Sequence, residues 1–338
     1  MLAAVYLGPD QLEVRDVPAP ACPPGGALLA VEACAVCGTD VRIVRQGHRL
    51  VQPPRIIGHE VAGTIIASDA PGVVVGQRVT VAPAVGCGAC AACISARPNR
   101  CPTLRTIGYA WEGGFAEQMA VPAEAVAQGN VCAIPDGLSA AEACLAEPLA
   151  CCLNGQELLG VGPGDRVIIA GAGPIGALHA RLARARGAAE VVIVEPNPMR
   201  RAQAERLGLG HGVAAAEECD AAVDGEMTVA IVAASVPALY QEAPTWVAPG
   251  GRVSLFAGLP PDSAELVMPA NLVHYRELTL VGAHGSTPAQ NRAALELIAS
   301  GALRVDDLIT ARFPLAHCAA AVAEAAAGRG LKTLVSLP

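Results

Sequence analysis

The stretch RVIIAGAGPIGALHARLARARGAAEVVIVE, residues 166–195, decides the fold of this chain. It begins with a short apolar run, Arg166–Ala170, which predicts a strand. A glycine-rich turn follows, then a helical stretch over Pro174–Arg186 and a second apolar run, Glu190–Val194. A strand, a helix and a strand in this order predict a βαβ unit, in which the two strands lie parallel.

The turn after the first strand has the pattern GxGxxG and predicts a dinucleotide-binding site. The first glycine permits the tight turn, the second lets the backbone approach a pyrophosphate, and the third lets the helix pack closely on the strand. The helix N-terminus then offers unpaired N–H groups to the anion. A plain turn between strand and helix is the alternative. The predicted cofactor-binding residues of the turn are Gly171, Gly173, Pro174, Ile175 and Gly176.

The second strand ends in Glu195, which bears on the choice of cofactor. A carboxylate at this point can accept hydrogen bonds from both ribose hydroxyls and would repel a 2′-phosphate. Arg200 and Arg201 lie just downstream and leave NADP open, with Arg200 as a further candidate for cofactor binding. We therefore expect NAD in preference to NADP.

The rest of the chain divides at about residue 150. Beyond that point helices and strands continue to alternate, with later strands at Thr228–Ala233, Gly251–Ala257 and Leu278–Gly282. Before it, short apolar runs between glycines and prolines predict strands at Ala27–Val31, Gly63–Ala67, Arg78–Pro83 and Phe115–Val121. A helix is predicted between the two parts, at Leu149–Leu159. After the second part, two helices are predicted at Pro288–Ser300 and Ala316–Ala327, and a strand at Lys332–Ser336. The fold class is therefore α/β, a β-rich domain plus a doubly wound parallel-sheet domain.

Composition limits the classes of function. The 338 residues are 53% hydrophobic and carry a net charge of −8, which argues against a nucleic-acid-binding surface. No apolar stretch reaches the length of a membrane span, and the N-terminus does not resemble a signal peptide. Thirteen cysteines in such a chain suggest metal sites in a reducing, cytoplasmic compartment.

Four of these cysteines are closely spaced in a loop rich in glycine and alanine. Close spacing lets a short loop wrap one tetrahedral ion with four thiolates. The loop predicts a structural zinc site whose ligands are Cys87, Cys90, Cys93 and Cys101. Eight other cysteines outside any ligand pattern are expected to be small buried hydrophobic residues, namely Cys22, Cys34, Cys132, Cys144, Cys151, Cys152, Cys219 and Cys318.

A second group of residues becomes informative only in combination. Cys37-Gly-Thr-Asp40, Gly58-His-Glu60, the four-cysteine loop, Gly113-Gly-Phe-Ala-Glu117, Glu147-Pro148 and the glycine turn follow one another in this order. In order and spacing the chain resembles the zinc-dependent medium-chain alcohol and polyol dehydrogenases over essentially its whole length. The glutamate at 147 is similar to the sorbitol and threonine dehydrogenase branch. The resemblance implies a GroES-like catalytic domain, residues 1–148 and 284–338, and a Rossmann NAD-binding domain, residues 149–283.

The resemblance also implies a catalytic zinc, and so two zinc ions per chain. Its ligands would be Cys37, His59 and either Glu147 or Glu60, with a water or substrate oxygen completing the site. Asp40 would accept the second N–H of His59 and fix its tautomer. The Thr39 hydroxyl would take the proton of the alcohol, a helix cap or turn being its alternative role.

The chain departs from many family members at Arg42, where they carry a histidine that passes the proton to solvent. An arginine cannot act as a base near pH 7. The proton route therefore remains open between water, a cofactor ribose and His48. Arg42 is expected either to bind an anionic part of the substrate or cofactor, or to be solvated.

By resemblance, the segment after the four-cysteine loop and the turn after the last strand of the parallel sheet face the substrate, which nominates four residues in addition to Arg42 and His48. Tyr109 and Trp111 are expected to alternate on one strand face, and Glu112 to accept a substrate hydroxyl or amine. By resemblance, His284 follows the last strand of the parallel sheet and faces the cleft. Packing against the zinc loop is the alternative for the two aromatic residues.

We therefore expect a zinc-dependent oxidoreductase that transfers a hydride between a polyhydroxylated secondary alcohol (a polyol, sugar or aminocyclitol) and NAD. A threonine-type amino-alcohol dehydrogenase and an NADPH-linked ketone reductase are the neighbouring alternatives. A non-catalytic nucleotide-binding relative is a more remote one. We expect a small-molecule alcohol or ketone as partner, no nucleic acid or membrane, and a homodimer or homotetramer.

Overall fold

The computed structural model describes residues 1–259, 263 and 265–337 of the chain. Contacts divide the chain into two compact units, one of Met1–Ala150 with Gly285–Pro338 and the other of Cys151–His284. None of the helices in the described ranges is long and apolar enough to cross a membrane.

Strands and helices are numbered here in chain order. The strands are β1 (Leu2–Gly8), β2 (Gln11–Asp16), β3 (Ala27–Ala35), β4 (Arg55–Ile56), β5 (Glu60–Ser68), β6 (Arg78–Val81), β7 (Ala84–Val85), β8 (Arg105–Thr106), β9 (Gln118–Val121), β10 (Val131–Ala133), β11 (Arg166–Ala170), β12 (Glu190–Val194), β13 (His211–Val213), β14 (Met227–Val232), β15 (Val247–Leu255), β16 (Thr279–Gly282), β17 (Ile309–Pro314) and β18 (Lys332–Ser336). The helices are α1 (Gly38–Gln46), α2 (Ala91–Ile94), α3 (Ala123–Ala127), α4 (Ala140–Ala143), α5 (Ala146–Leu159), α6 (Pro174–Ala185), α7 (Pro198–Arg206), α8 (Cys219–Ala222), α9 (Pro237–Glu242), α10 (Ala270–Tyr275), α11 (Pro288–Ala299) and α12 (Cys318–Ala327).

The first unit is built around β3. Its larger sheet has the order β10-β6-β5-β3-β18-β17, and β9 also pairs with β3. β3 is almost wholly buried and pairs antiparallel with β5, β9 and β18. Leu29, Ile65, Met119 and Phe115 fill the core on which these strands pack. The unit therefore brings the end of β3, the start of β5 and the start of β18 together, which is where the candidate site forms.

The second unit contains a six-stranded parallel sheet of order β13-β12-β11-β14-β15-β16. β11 and β12 are buried apolar runs, as expected for strands covered on both faces. β12 and β13 lie on one side of β11, and β14, β15 and β16 lie on the other. The strand order therefore reverses beside β11. That reversal marks the crevice where open parallel sheets bind ligands. The predicted parallel sheet beside a β-rich region is confirmed.

Several predicted elements differ from the observed ones in their bounds. β15 begins at Val247, whereas the sequence prediction began at Gly251, because a proline and two glycines there indicate a turn. The strand runs through them, with Gly250 at φ +77° and a shift in the register against β14. Six of the eight non-ligand cysteines are buried as expected, and Cys22 and Cys151 are half-buried.

Candidate active site

Helix α1 begins at Cys37 with an unusual cap. The Cys37 sulfur accepts a hydrogen bond from the Thr39 N–H at 3.4 Å, and the Asp40 carboxylate accepts one from the Cys37 N–H at 2.9 Å. This is a capping box in which a thiol replaces the usual hydroxyl. The cap fixes the Cys37 side chain at the first turn of α1.

Strand pairing brings His59 and Glu60 to Cys37. The register of β3 against β5 pairs Ala35 with Glu60, so the residues that follow β3 lie beside those that begin β5. One ligand atom from each of Cys37, His59 and Glu60 lies within 4.8 Å of the others. Gly58 allows the chain to bring His59 and Glu60 to Cys37. Its φ is +92°, and a side chain there would meet Phe115 at 2.9 Å.

His59 is buried among groups of negative charge. Its Nδ1 faces Asp40 Oδ1 at 3.5 Å, and neither atom has a hydrogen-bond partner among the described residues. Burial opposes the charged imidazole, yet Asp40, Tyr109 and Cys37 together raise the pKa of His59 well above its ordinary value. With Nδ1 directed at the carboxylate, Nε2 is left for a metal ion.

Glu60 is held by a buried lysine. Lys332, at the start of β18, places its Nζ 2.6 and 2.5 Å from the two carboxylate oxygens of Glu60 and 3.0 Å from the Val36 carbonyl oxygen. Burial raises the pKa of Glu60 to about 7, with Lys332 opposing the shift and Glu147 adding to it. The two carboxylates are therefore electrostatic neighbours, and Glu60 already has a cationic partner.

These residues fit zinc. One thiolate, one imidazole and a carboxylate are the donors of an open catalytic zinc site, and the excess negative charge favours a cation. Sequence reasoning placed Cys37, His59, Glu60, Asp40 and Glu147 here but missed Lys332. The signal available was the lysine that begins the predicted strand KTLVS, because an unpaired charge in a buried strand would be costly.

The four-cysteine loop forms a separate site. The Cys87, Cys90, Cys93 and Cys101 sulfur atoms all lie within 4.8 Å of one another. Backbone N–H groups of Ala89 and Cys90 lower the pKa of the Cys87 thiol to about 6, which favours the thiolate that zinc requires. Four sulfur donors fit a closed, structural zinc site with no position left for a substrate.

The glycine turn in the second unit has the geometry expected of a pyrophosphate-binding turn. A Cβ at Gly176 would lie 1.9 Å from the Gly171 carbonyl oxygen, so only glycine allows this packing of α6 on the turn. The Glu195 carboxylate accepts hydrogen bonds from the Ala172 N–H at 3.1 Å and the Asn197 N–H at 3.0 Å. These bonds hold the carboxylate beside the turn.

The arginines after Glu195 are partly engaged with it. Arg200 Nη1 lies 3.8 Å from Glu195 Oε2. Arg201 donates to the backbone carbonyl oxygens of Glu195 and Pro196 at 2.7 and 2.8 Å. Asn197 caps α7, with Pro198 as its first residue.

The predicted substrate residues do not all meet. Tyr109 lies beside the site, with its ring centre 5.8 Å from that of His59 and 5.2 Å from that of His48. The expected strand face is wrong, because Tyr109 lies in a turn and Trp111 forms only an isolated bridge with Ile107. Trp111 instead lines a cavity of about 660 Å³ with Glu112, and neither Cys37, His59 nor Glu60 is among the described residues that line it.

Glu112 and His284 are placed as follows. The Glu112 carboxylate accepts hydrogen bonds from Arg55 Nη1 at 2.7 Å and from the Ile56 N–H at 2.5 Å, so both its oxygens are engaged within the fold. His284 belongs to the second unit, where its carbonyl oxygen accepts a hydrogen bond from Asn154 Nδ2 at 3.3 Å. Arg42 is exposed on α1.

Comparison with known protein families matches both parts of the chain. Residues 23–136 match the family model described as alcohol dehydrogenase GroES-like domain. Residues 174–300 match the model described as zinc-binding dehydrogenase. Together these models cover more than half of the chain, including the candidate zinc ligands Cys37, His59 and Glu60.

Individual relatives cover almost the whole chain. It is 32% identical to D-altritol 5-dehydrogenase of Agrobacterium fabrum over 94% of both chains. It is 31% identical to L-galactonate-5-dehydrogenase of Escherichia coli over 90% of this chain and 88% of the relative. A zinc-binding dehydrogenase from Sinorhizobium meliloti, solved with bound NADP, is 31% identical, with a TM-score of 0.88 over 99% of this chain and 98% of the other.

Proposed function

Because the chain belongs to the zinc-containing medium-chain alcohol dehydrogenases, and is therefore a zinc-dependent NAD(P) dehydrogenase of alcohols, we propose that it oxidises a polyhydroxylated secondary alcohol with NAD. The observation that carries this proposal is the convergence of Cys37, His59 and Glu60 within 4.8 Å, with Glu147 as electrostatic neighbour. We assign catalysis to residues 1–148 with 284–338 and NAD binding to 149–283.

Zinc and NAD would supply the chemistry, and the residues of the chain would position them. Zinc held by Cys37, His59 and Glu147 or Glu60 would act as a Lewis acid toward the alcohol, and NAD would accept the hydride. Asp40 holds the His59 ring in a fixed tautomer. We favour Glu147 as the carboxylate ligand, because Lys332 already neutralises Glu60.

Thr39 is the proposed acceptor of the alcohol proton. Its hydroxyl lies two residues from Cys37 at the start of α1 and makes no hydrogen bond among the described residues. His48 is a poorer next acceptor than water, because its Nδ1 already accepts the Leu50 N–H at 3.3 Å. Burial, Arg49 and Arg42 also lower the pKa of His48. We therefore propose that the proton leaves Thr39 through water or a cofactor ribose.

NAD is proposed in preference to NADP because Glu195 is buried and fixed beside the glycine turn. A 2′-phosphate placed there would lie against a carboxylate with little solvent to screen the repulsion. The NADP bound to the Sinorhizobium meliloti relative and the nearby Arg200 make NADP the alternative. Comparing kcat/KM for the two cofactors decides between them, since the proposal requires at least about a tenfold preference for NAD.

The substrate class is supported by the polyol-related names of the relatives and is tested by a panel. The panel contains polyols, cyclitols, amino alcohols including threonine, and simple ketones, each with NAD and NADP, and zinc is quantified in the same preparation. We expect polyols to be oxidised fastest and two zinc ions per chain. Faster oxidation of threonine, or faster ketone reduction with NADPH, would support the corresponding alternative enzyme.

We also propose a homodimer or homotetramer. β16 is the edge strand of the parallel sheet, and its outer N–H and C=O groups are available for pairing with another copy. Light scattering at micromolar concentration tests this, and a mass equal to one chain would contradict it.

A further inference from the structure

Four arginines and no acidic residue lie between Asp40 and His59, in a chain whose net charge is −8. Two of the four have other surroundings. Arg55 pairs with Glu112 at 2.7 Å, and Arg45 lines a small cavity together with Asp10. The remaining two, Arg42 and Arg49, are exposed and make no side-chain hydrogen bond or ion pair among the described residues.

Both of these arginines lie next to the candidate active site. Arg42 follows Thr39 by three residues in α1, which puts it on the same face of that helix. Arg49 directly follows His48, whose ring lies 5.2 Å from that of Tyr109, and Tyr109 in turn lies 5.8 Å from His59. The charges of Arg49 and Arg42 both act on His48. Both positive charges therefore act at His48, which is linked to the zinc ligand His59 through the ring of Tyr109.

His48 adds a hydrogen-bond donor at the same place. Its Nδ1 accepts the Leu50 N–H, so in the neutral ring the proton is on Nε2. Two guanidinium groups and one imidazole N–H make a set of donors without an acceptor. Because like charges close together are unfavourable unless an anion separates them, this arrangement favours an anionic ligand.

We propose that Arg42, Arg49 and His48 bind the anionic group of the substrate, so that the enzyme acts on a polyol carrying a carboxylate or a phosphate rather than on a neutral polyol. This inference rests on the proposed function and narrows it. It assigns the two arginines to the substrate and not to the cofactor. The reason is that the contacts linking them to the zinc ligands are those of His48 with Tyr109 and of Tyr109 with His59.

The test compares three substrates that share a polyol chain and differ in the group at one end: a hexitol, the matching hexonate and the matching hexitol phosphate. The readout is the ratio of kcat/KM for each anion to that for the hexitol. We expect a ratio of about 100 or more for at least one anion, and the anion that gives it identifies the group. Arg42→Gln and Arg49→Gln should each lower the ratio about tenfold, and the lysine variants should restore part of it.

Arg45→Gln is the matched control, because Arg45 is exposed on the same helix and faces the other cavity. It should leave the ratio within twofold of the wild type. Raising the salt concentration should lower the ratio in the wild type and have less effect in Arg42→Gln. A wild-type ratio near one would overturn the proposal. An Arg42→Gln variant that lowered kcat/KM equally for the hexitol and for the two anions, through a raised KM for NAD, would also overturn it and would indicate a cofactor role.

The proposal and the function beneath it can fail separately. If the hexitol is oxidised and neither anion is preferred, the anion site is refuted, but the proposed function as a polyol dehydrogenase is still supported. If no polyol of either charge is oxidised, the proposed function fails, and calorimetry with the hexonate and hexitol phosphate decides the anion site alone. Binding that weakens about tenfold in Arg42→Gln supports it, and no binding to the wild type overturns it.

Discussion

The four-cysteine loop and the Cys37 cluster both fit zinc, but they are built in opposite ways. The loop takes all its ligands from one segment of fifteen residues, Cys87–Cys101, and its sulfurs are oriented by nearby backbone N–H groups. The cluster takes Cys37 from the start of α1 and His59 and Glu60 from the start of β5, and the Glu60 carboxylate is held by Lys332 from the far end of the chain.

This difference in construction corresponds to a difference in chemistry. Four thiolates fill the coordination shell of zinc and leave a net charge of −2, so the loop has neither an open position nor much Lewis acidity. One thiolate and one carboxylate leave a formally neutral ion with a position for an alcohol. The loop should therefore support the fold, and the cluster should carry the reaction.

Replacing Cys37 with alanine should give the largest effect on turnover. Without its thiolate the cluster should lose zinc, and kcat/KM should fall at least about a thousandfold because several kcal/mol of Lewis-acid stabilisation are lost. The folded protein should keep one zinc per chain. The measurement is steady-state kinetics with metal quantification.

Cys34→Ala is the matched control for this prediction, because Cys34 is a buried cysteine of β3 three residues earlier. It should keep two zinc ions and most of the activity. A Cys37→Ala protein with two zinc ions and turnover within tenfold of the wild type would remove the cluster from the reaction.

Replacing Cys90 with serine should instead lower stability. The loop should lose its zinc, and the free energy of unfolding should fall by about 4 kcal/mol, which corresponds to a loss of about 10 °C in Tm. Calorimetry measures the Tm, and turnover per folded molecule should stay within about twofold. Ser95→Ala, in the same loop, should change neither. A stable Cys90→Ser protein that had lost only its turnover would break the division between the two sites.

Replacing Lys332 with methionine tests the buried positive charge that supports the Cys37 cluster and has no counterpart in the four-cysteine loop. Glu60 would remain buried without its partner, and the free energy of unfolding of the metal-free protein should fall by about 3 kcal/mol. Lys332→Arg keeps the charge and should lose less than half as much. Urea unfolding of the metal-free proteins measures both, and equal losses in the two variants would show that packing, not charge, sets the role of Lys332.

The same contrast explains what the sequence could predict. The loop and the glycine turn are local patterns, so spacing alone indicated their residues. The cluster depends on the register of β3, β5 and β18, which spacing does not reveal, and it was found through the family resemblance. The role of Lys332 and the separation of Tyr109 from Trp111 were missed for the same reason. The role of Lys332 depends on how distant segments pack. The placement of Tyr109 depends on a turn, whereas the alternation of the two aromatic residues had indicated a strand.

The smallest effects should come from residues that contact a ligand without binding the metal. Asp40→Asn keeps a hydrogen-bond acceptor for the Cys37 N–H but removes the negative charge that faces His59 Nδ1 at 3.5 Å. The affinity of the cluster for zinc should therefore fall about 10- to 100-fold. In the loop, the Thr103 hydroxyl lies 3.5 Å from the Cys101 sulfur and contributes one long hydrogen bond, without a charge of its own.

Thr103→Val is thus the counterpart of Asp40→Asn in the other site, and it should weaken zinc binding by the loop no more than about threefold. Competition with a chelator measures both affinities. Cobalt substitution separates the two sites, because four thiolates and a mixed donor set give different visible spectra. If Thr103→Val weakened its site more than Asp40→Asn did, the cluster would not depend on the buried charge around His59, and the contrast between a self-contained loop and a charge-supported cluster would fail.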